Sequence, residues 1–339
     1  MDKSISFLSQ AKRRQTVSAS VKKSKQSQKD SAIKSGPFAK AFLTALKDSG
    51  RSDIADDLLA NVIPMHEKLS DRRKAGQCLI EVCNPAQDTH GWYNVHTVIN
   101  IVSDDMVFFI DSVTAYVSEK SYLIEQIFHP RLYKKSSGKK AEYISREMAR
   151  VEEVRGQMHM FIQLNRRLTD EQMQEVERDL QEIIADTSLA TRDWRHVRHA
   201  LSEAKENLVK LPGQTDRLYQ EYQDFLQYIH DDNFTLLGCI DYKITGNGKG
   251  QRISEVKGSG NGLFSDDRKE KFLEGIDHDR FVTNLDARKD APQLFITKLM
   301  RRSDVHRRVP VDCVVIRNFD NKGNVTGETH VIGLFTSVT

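Results

Sequence analysis

Two neighbouring carboxylates stand between two apolar runs in the stretch HTVINIVSDDMVFFIDSV, which begins at His96. The first run is rich in β-branched residues and predicts a strand, whereas the second run predicts a helix. Ser103 and Asp104 would then cap this helix, and Asp105 would interact favourably with its dipole. The same turn suits a zwitterion, because exposed amides bind a carboxylate and a nearby aspartate binds an ammonium group. Ser103, Asp104, Asp105 and Met106 are therefore a candidate effector-binding site.

A second cluster of charge, RRSDVHRR, runs from Arg301 to Arg308 and is the densest cationic segment in the folded part of the chain. The guanidinium group of arginine presents a planar fork to carboxylates and phosphates. Arg301, Arg302, His306 and Arg307 are therefore candidates for binding an anion or an acidic partner. A solvated loop between two strands is the alternative, and the sequence leaves it open.

Catalytic motifs are absent from the sequence. TGNGKG and GSGNG are rich in glycine, but neither has the G-x-G-x-x-G or G-K-[ST] pattern of a nucleotide-binding loop. No G-x-S-x-G nucleophile elbow occurs. The four cysteines form no C-x-x-C pair, and His90 and His96, which flank Trp92, lack a nearby cluster of cysteines or carboxylates. We therefore expect free thiols in a reducing compartment, no catalytic residue and no metal site.

Length and charge limit the class of protein. The 339 residues predict two domains with some spare chain, and a formal net charge of +3 gives no overall field that would attract nucleic acid. No apolar run approaches the ~20 residues that span a bilayer, and the first residues contain no secretory signal. We expect a cytoplasmic protein without a membrane partner. Residues 1–36 are basic and polar and predict a flexible tail, with a nucleic-acid-binding arm as the alternative.

Periodicity along the chain predicts the elements that position these residues. Residues 37–75 predict two short helices that are broken at Gly50. Residues 76–190 predict an α+β ferredoxin-like sandwich, in which QMHMFIQL is a half-buried strand and RLYKKSSGKKAEYISRE is a loop or an irregular crossover. Residues 191–232 predict a helical connector. Residues 233–339 switch to a period of two and predict a mostly antiparallel β domain with a hairpin turn at DNKGN.

Five separated motifs then occur in a recognisable order: HGWYNVHTVINIVSDDMVFFIDSVT, FTLLGCIDY, GSGNGLF, LFITKLMRRSDVHRRV and FDNKGNVTGETHVIGLFTS. Together they resemble the N-terminal region of the large bacterial NAD-specific glutamate dehydrogenases, over residues 76–339. Val107 departs from the family, which usually has proline at this position. The resemblance implies that residues 76–190 are an ACT-type domain and that the β domain is PAS-like.

The resemblance also implies a function. The parent enzyme would deaminate L-glutamate oxidatively to 2-oxoglutarate and ammonia with NAD, in a catalytic domain downstream of this region. We therefore expect a non-catalytic regulatory and assembly region that binds no cofactor itself. Its expected partners are the downstream domains, further copies of the chain in a homo-oligomer, and an amino-acid effector. The end of the chain at Thr339, directly after an apolar strand, predicts a fragment of a longer protein. The alternative function is a nucleic-acid-binding module that uses the basic tail.

Overall fold

A computed structural model describes five stretches of the chain. They are residues 36–137, 140–246, 252–274, 292–320 and 322–336. The predicted tail, residues 1–36, lies outside the described residues except for Gly36.

The chain divides into two compact units. The first unit comprises Met1–Asp105 and Tyr122–Arg178, and the second unit comprises Met106–Ser121 and Asp179–Thr339. The domain boundaries expected from the sequence stay a prediction.

Seven α-helices occur among the described residues. They are α1 (Pro37–Asp48), α2 (Asp56–Arg72), α3 (Phe109–Glu119), α4 (Arg146–Val151), α5 (Asp170–Glu206), α6 (Asp216–Tyr228) and α7 (Lys269–Leu273). α1 and α2 are the two short helices predicted, and Gly50 between them has a φ of +76°, which glycine adopts without strain. None of these helices is long and apolar enough to cross a bilayer.

α5 crosses residue 191, where the predicted sandwich meets the predicted helical connector. It continues for 37 residues without a break. The physical reason is that no glycine or proline stands between its first and last residues, so each backbone N–H can bond to the carbonyl four residues earlier.

The first unit contains a six-stranded antiparallel sheet. Its strands are β1 (Leu79–Cys83), β2 (Val98–Asp104), β3 (Ile124–Phe128), β4 (Arg131–Ser137), β5 (Lys140–Ile144) and β6 (Gly156–Leu164). The strand order is β1-β2-β6-β4-β5, and β3 also pairs with β6.

β4 and β5 contradict the prediction of a loop in the polar stretch after residue 130. They form a hairpin, and Arg131, Leu132 and Tyr133 of β4 also pair with β6. The ladder supplies backbone hydrogen bonds whatever the polarity of the side chains, so a polar segment becomes a strand where a partner strand is available.

β6 is buried on both of its faces, so the prediction of a half-buried strand is wrong. His159 and Phe161, on the face expected to be wet, are both 0% exposed. Helices α1 and α2 cover this face: the ring centroid of His159 lies 5.4 Å from Phe38, 6.0 Å from Phe42 and 5.5 Å from His66.

The second unit contains another antiparallel sheet. Its strands are β7 (Phe234–Thr245), β8 (Arg252–Glu255), β9 (Asn261–Gly262), β10 (Leu294–Arg302), β11 (Pro310–Phe319) and β12 (Val325–Phe335). The order is β10-β11-β12-β7-β8, and β9 pairs with β7. The predicted hairpin turn between β11 and β12 is confirmed, because the Asp320 carboxylate accepts the backbone N–H groups of Lys322 and Asn324, each at 2.9 Å. The mixed α+β class is also confirmed.

Candidate functional site

Asp104 lies at the end of β2, and its side chain contacts other residues of the first unit. Its carboxylate forms an ion pair with the guanidinium group of Arg73, whose side chain is 2% exposed, and accepts the backbone N–H of Gly76 at 3.0 Å. Ser103 is buried, and its Oγ donates to the carbonyl oxygen of Asp104 at 2.9 Å. Ser103 and Asp104 therefore complete the end of the strand.

The expected capping role of Ser103 and Asp104 is wrong. α3 begins only at Phe109, and its N-cap position is Phe108, with a φ of 64° and no hydrogen bond from a cap side chain. The reason is that Asp104 is still paired with β6, opposite Gln157, so the carboxylate lies too far upstream to reach the first helical turn.

Asp105 keeps one carboxylate oxygen without a partner. Its backbone N–H donates to the carbonyl oxygen of Gly156 at 2.8 Å, and its Oδ2 lies 2.8 Å from Nε of Arg131. Oδ1 is buried and accepts no hydrogen bond from the described residues. Burial raises the pKa of Asp105, although Arg131 and Arg146 oppose this effect. The turn therefore holds a buried acceptor without a partner beside an arginine.

Gly156 gives Arg131 the room to lie at this place. A Cβ atom at Gly156 would stand 3.1 Å from Cγ of Arg131 and 3.2 Å from the ring of Tyr133. Sequence reasoning missed Arg131 because it falls in the polar stretch that was predicted to be a loop. The pairing of β4 with β6, opposite Met158, is what brings it to Asp105.

The basic run from Arg301 to Arg308 is turned towards α3 within the second unit. His306, with a φ of 66°, donates its backbone N–H to Oγ of Ser112 at 2.9 Å. Its Nδ1 lies 3.0 Å from the carboxylate of Asp111. Arg308 lies 3.1 Å from a carboxylate oxygen of Glu119.

The other predicted cationic residues also have acceptors. Arg302 lies 3.7 Å from Glu119, and Arg301 donates to the carbonyl oxygen of Lys271 at 3.1 Å. Arg307 donates to the carbonyl oxygen of Phe335. Arg302 and His306 thus contact α3, the helix that follows the turn after β2 in the chain. Their binding of an external anion stays a prediction.

Between α5 and α6 lies a cavity of about 320 Å³ that no sequence pattern indicated. It is lined by Leu201, Ser202, Lys205, Glu206, Gln223, Leu226, Gln227 and His230. Nζ of Lys205 donates to the side-chain oxygen of Gln227 at 2.5 Å. The ammonium group of Lys205 in the cavity wall is therefore already hydrogen-bonded within the protein.

Residues 38–180 match the family described as glutamate dehydrogenase, ACT1 domain.

Two larger relatives extend the similarity beyond this domain. The chain is 29% identical over 265 residues to the NAD-specific glutamate dehydrogenase of Halomonas elongata, which covers 76% of this chain and 16% of that protein. It is 25% identical over 276 residues to the NAD-specific glutamate dehydrogenase of Pseudomonas aeruginosa, covering 80% and 17%. The resemblance found in the sequence is therefore confirmed. The chain spans about one sixth of the length of these relatives.

Proposed function

We propose that this chain is a regulatory and assembly region of an NAD-specific glutamate dehydrogenase and performs no catalysis itself. The match to the ACT1 domain and the names of the two relatives support this proposal. The whole enzyme would deaminate L-glutamate to 2-oxoglutarate and ammonia in the cytoplasm, and its NAD would bind outside this chain. The partners would be the other domains of that enzyme and further copies of the chain.

The order of strands supports an ACT-type fold for the first unit. β2 and β6 are its central strands, with β1 on one side and β3 and β4 on the other. β1 thus takes the edge that the last strand occupies in a ferredoxin-like sheet.

In the second unit the last strand, β12, lies in the middle of the sheet between β11 and β7. This arrangement, with the first and last strands adjacent, supports a PAS-like domain.

The effector would be an amino acid bound at the turn after β2. The observation that carries this proposal is the buried carboxylate oxygen of Asp105, which accepts no hydrogen bond from the described residues and lies in the side chain paired with Arg131. The two side chains carry opposite charges, like the ammonium and carboxylate groups of a zwitterion. An amino acid can therefore exchange with the existing ion pair, its ammonium group binding Asp105 and its carboxylate binding Arg131. Asp104 would take a supporting role, since Arg73 and Gly76 already occupy it.

Transmission of binding would run through α3, because only Met106, Val107 and Phe108 separate Asp105 from this helix. Its first turn is held by His306, through Ser112 and Asp111. A ligand that moves the turn would change these contacts and so favour one of two conformations of the enzyme.

The test is isothermal titration calorimetry of the chain against a panel of L-amino acids. We expect one or more to bind, and Asp105→Asn to weaken binding by about tenfold or more, because a hydrogen bond to a charged group contributes about 1.5–3 kcal/mol. Asp71→Asn is the matched control, since Asp71 is another carboxylate of the first unit, paired with Lys134 at 3.5 Å. Absence of heat for every amino acid, or equal binding by both variants, would exclude the effector site.

The non-catalytic part of the proposal has a separate test. The chain is incubated with NAD and L-glutamate, and the absorbance of reduced NAD is followed. We expect no reduction. Formation of reduced NAD in proportion to the concentration of the chain would refute this part and leave the effector site untouched.

A further inference from the structure

Three metal-ligating side chains converge at one edge of the first sheet. Glu81, Cys83 and His90 each offer a ligand atom, and these atoms all lie within 4.8 Å of one another. Glu81 and Cys83 are two residues apart on β1, so their side chains point to the same face of the sheet. Among the strands that the structure describes, β1 pairs with β2 alone and lies at the edge of the sheet.

The loop after β1 delivers the imidazole ring. The backbone N–H of Ala86 donates to Nδ1 of His90 at 3.2 Å, and Oγ1 of Thr89 lies 2.7 Å from the same nitrogen. The backbone N–H of His90 donates back to the carbonyl oxygen of Ala86 at 2.8 Å. These bonds hold the ring beside β1 rather than leaving it free in solvent.

Negative charge accumulates at this edge without a cationic partner. The pKa of Glu177 is raised, first by burial and then by the nearby carboxylate of Glu81. No ion pair within the described part of the chain includes Glu81 or Glu177, whereas many of its other carboxylates have a lysine or arginine. The carboxylate of Glu81 therefore stands beside a thiol and an imidazole, and its charge also acts on Glu177.

We propose that Glu81, Cys83 and His90 bind a zinc ion. Thiolate, imidazole and carboxylate are the three ligand types that zinc takes in proteins, and the thiolate disfavours magnesium and calcium. Zinc–ligand bonds of about 2.0–2.3 Å in a tetrahedron place ligand atoms roughly 3.5 Å apart, so movements of about 1 Å would close the site. A water molecule would take the fourth position.

Binding would release the thiol proton of Cys83 and move the ring proton of His90 from Nε2 to Nδ1, the nitrogen that accepts the Ala86 N–H in the metal-free chain. Burial raises the pKa of Cys83 to about 12, so the metal-free side chain is a thiol. Zinc would form a bond to its sulfur, and the thiol proton would leave to solvent. The His90 ring would bind with one nitrogen while its other N–H donates to a neighbour, for which Oγ1 of Thr89 is placed. The contact with Ala86 would be lost in exchange.

No metal site was predicted from the sequence, because the chain has no C-x-x-C pair and no histidine pair with a nearby cysteine or carboxylate cluster. The ligands proposed here follow the different spacing E-x-C-x6-H, with two on a strand and one in a loop. A zinc ion in this position would tie the loop to β1 and cover part of an open sheet edge.

Cobalt(II) is the probe, because a Co²⁺–thiolate bond gives a charge-transfer absorption in the near ultraviolet. We expect the full chain to develop this absorption at one equivalent of Co²⁺ and to lose it when Zn²⁺ is added. Cys83→Ser should abolish the absorption, and Thr89→Val should weaken Co²⁺ binding by about 10- to 100-fold, as loss of an outer hydrogen bond does at other metal sites.

Two matched variants control for the other thiols and imidazoles. Cys78→Ser removes the neighbouring cysteine just before β1, and His96→Gln removes the histidine on the other side of Trp92. Both should keep the absorption.

The proposal is overturned if wild type gives no thiolate absorption, or if Cys83→Ser keeps it. Because Cys83 is buried and its replacement can disturb folding, His90→Gln is measured as well, with circular dichroism to show that the variant is folded. A folded His90→Gln variant that binds Co²⁺ as tightly as wild type would equally overturn it.

Discussion

Two buried histidines should make the first unit sensitive to acid. His66 of α2 and His159 of β6 are both 0% exposed, and their ring nitrogens have no hydrogen-bond partner among the described residues. Burial lowers the pKa of His66 to about 3, against a weaker opposing effect of Asn100. Burial also lowers the pKa of His159 well below its usual value, and the positive charges of Arg73 and Lys134 add to this.

The sign of the effect follows from proton binding. Below a pH of about 6.5 the unfolded chain takes up protons on both imidazoles, whereas the folded unit keeps them neutral. Acid therefore stabilises the unfolded state, and stability is lost as the pH falls from about 6.5 towards the folded-state values. Between pH 7 and pH 5 a histidine that stays neutral in the folded unit accounts for about 2 kcal/mol, and two such histidines for about 4 kcal/mol.

Urea unfolding at pH 7 and pH 5 measures this loss, with His159→Phe as the variant. Phenylalanine leaves no hydrogen-bond partner unsatisfied, because His159 has none among the described residues, and it suits the surrounding rings of Phe38 and Phe42. We expect the variant to lose about 2 kcal/mol less than wild type between the two pH values. Trp92 is 7% exposed and lies in the same core as Phe38 and Phe42. Its fluorescence reports the unfolding of this unit when the other tryptophan, Trp194, is replaced by Phe.

His199→Gln is the control for this experiment. The side chain of His199 is 72% exposed, so its replacement should leave the pH dependence of the first unit unchanged. An equal loss of stability in wild type and in His159→Phe would refute the argument that buried neutral imidazoles cause the acid sensitivity.

Two further predictions concern the second unit. Asp186→Asn should lower the free energy of unfolding by about 3 kcal/mol, because Asp186 is 2% exposed and pairs with the largely buried Arg268; a loss below about 1 kcal/mol in urea unfolding would contradict this. Gly262→Ala should cost more than about 2 kcal/mol, since φ is +62° and the new Cβ would lie 2.2 Å from a carbonyl oxygen of β7. Gly258→Ala has a φ of +78° but nothing within 4 Å, so it should cost only about 1 kcal/mol in the same measurement.

The sequence predicted most elements of the second unit because their patterns are local. β7, β11 and β12 are rich in β-branched and aromatic residues, and Asp320 marks the hairpin turn. The short β8 was missed. Local patterns also indicated the two helices on either side of Gly50. In each case neighbouring residues contain the signal, because backbone periodicity and turn chemistry extend over only a few positions.

The candidate site shows where such reasoning stops. The sequence placed Asp104 and Asp105 at the end of a strand, and the structure agrees. The predicted partner of Asp104 was the first turn of α3, whereas its actual partner is Arg73. Arg73 stands at a helix end about 30 residues earlier in the chain, so no local pattern links the two. The sequence did not indicate Arg131, since a polar segment becomes a strand only when a distant strand accepts it.

By itself, then, the sequence determined most of the helices and strands, the chemical types of the charged side chains and the family resemblance. Only the tertiary structure decided which charges are neutralised, that His159 lies under two helices, and that His90 reaches Cys83. Burial and ion pairing depend on segments that are far apart in the chain. The free energy of bringing such segments together is a property of the packed molecule, so no short stretch of residues contains it.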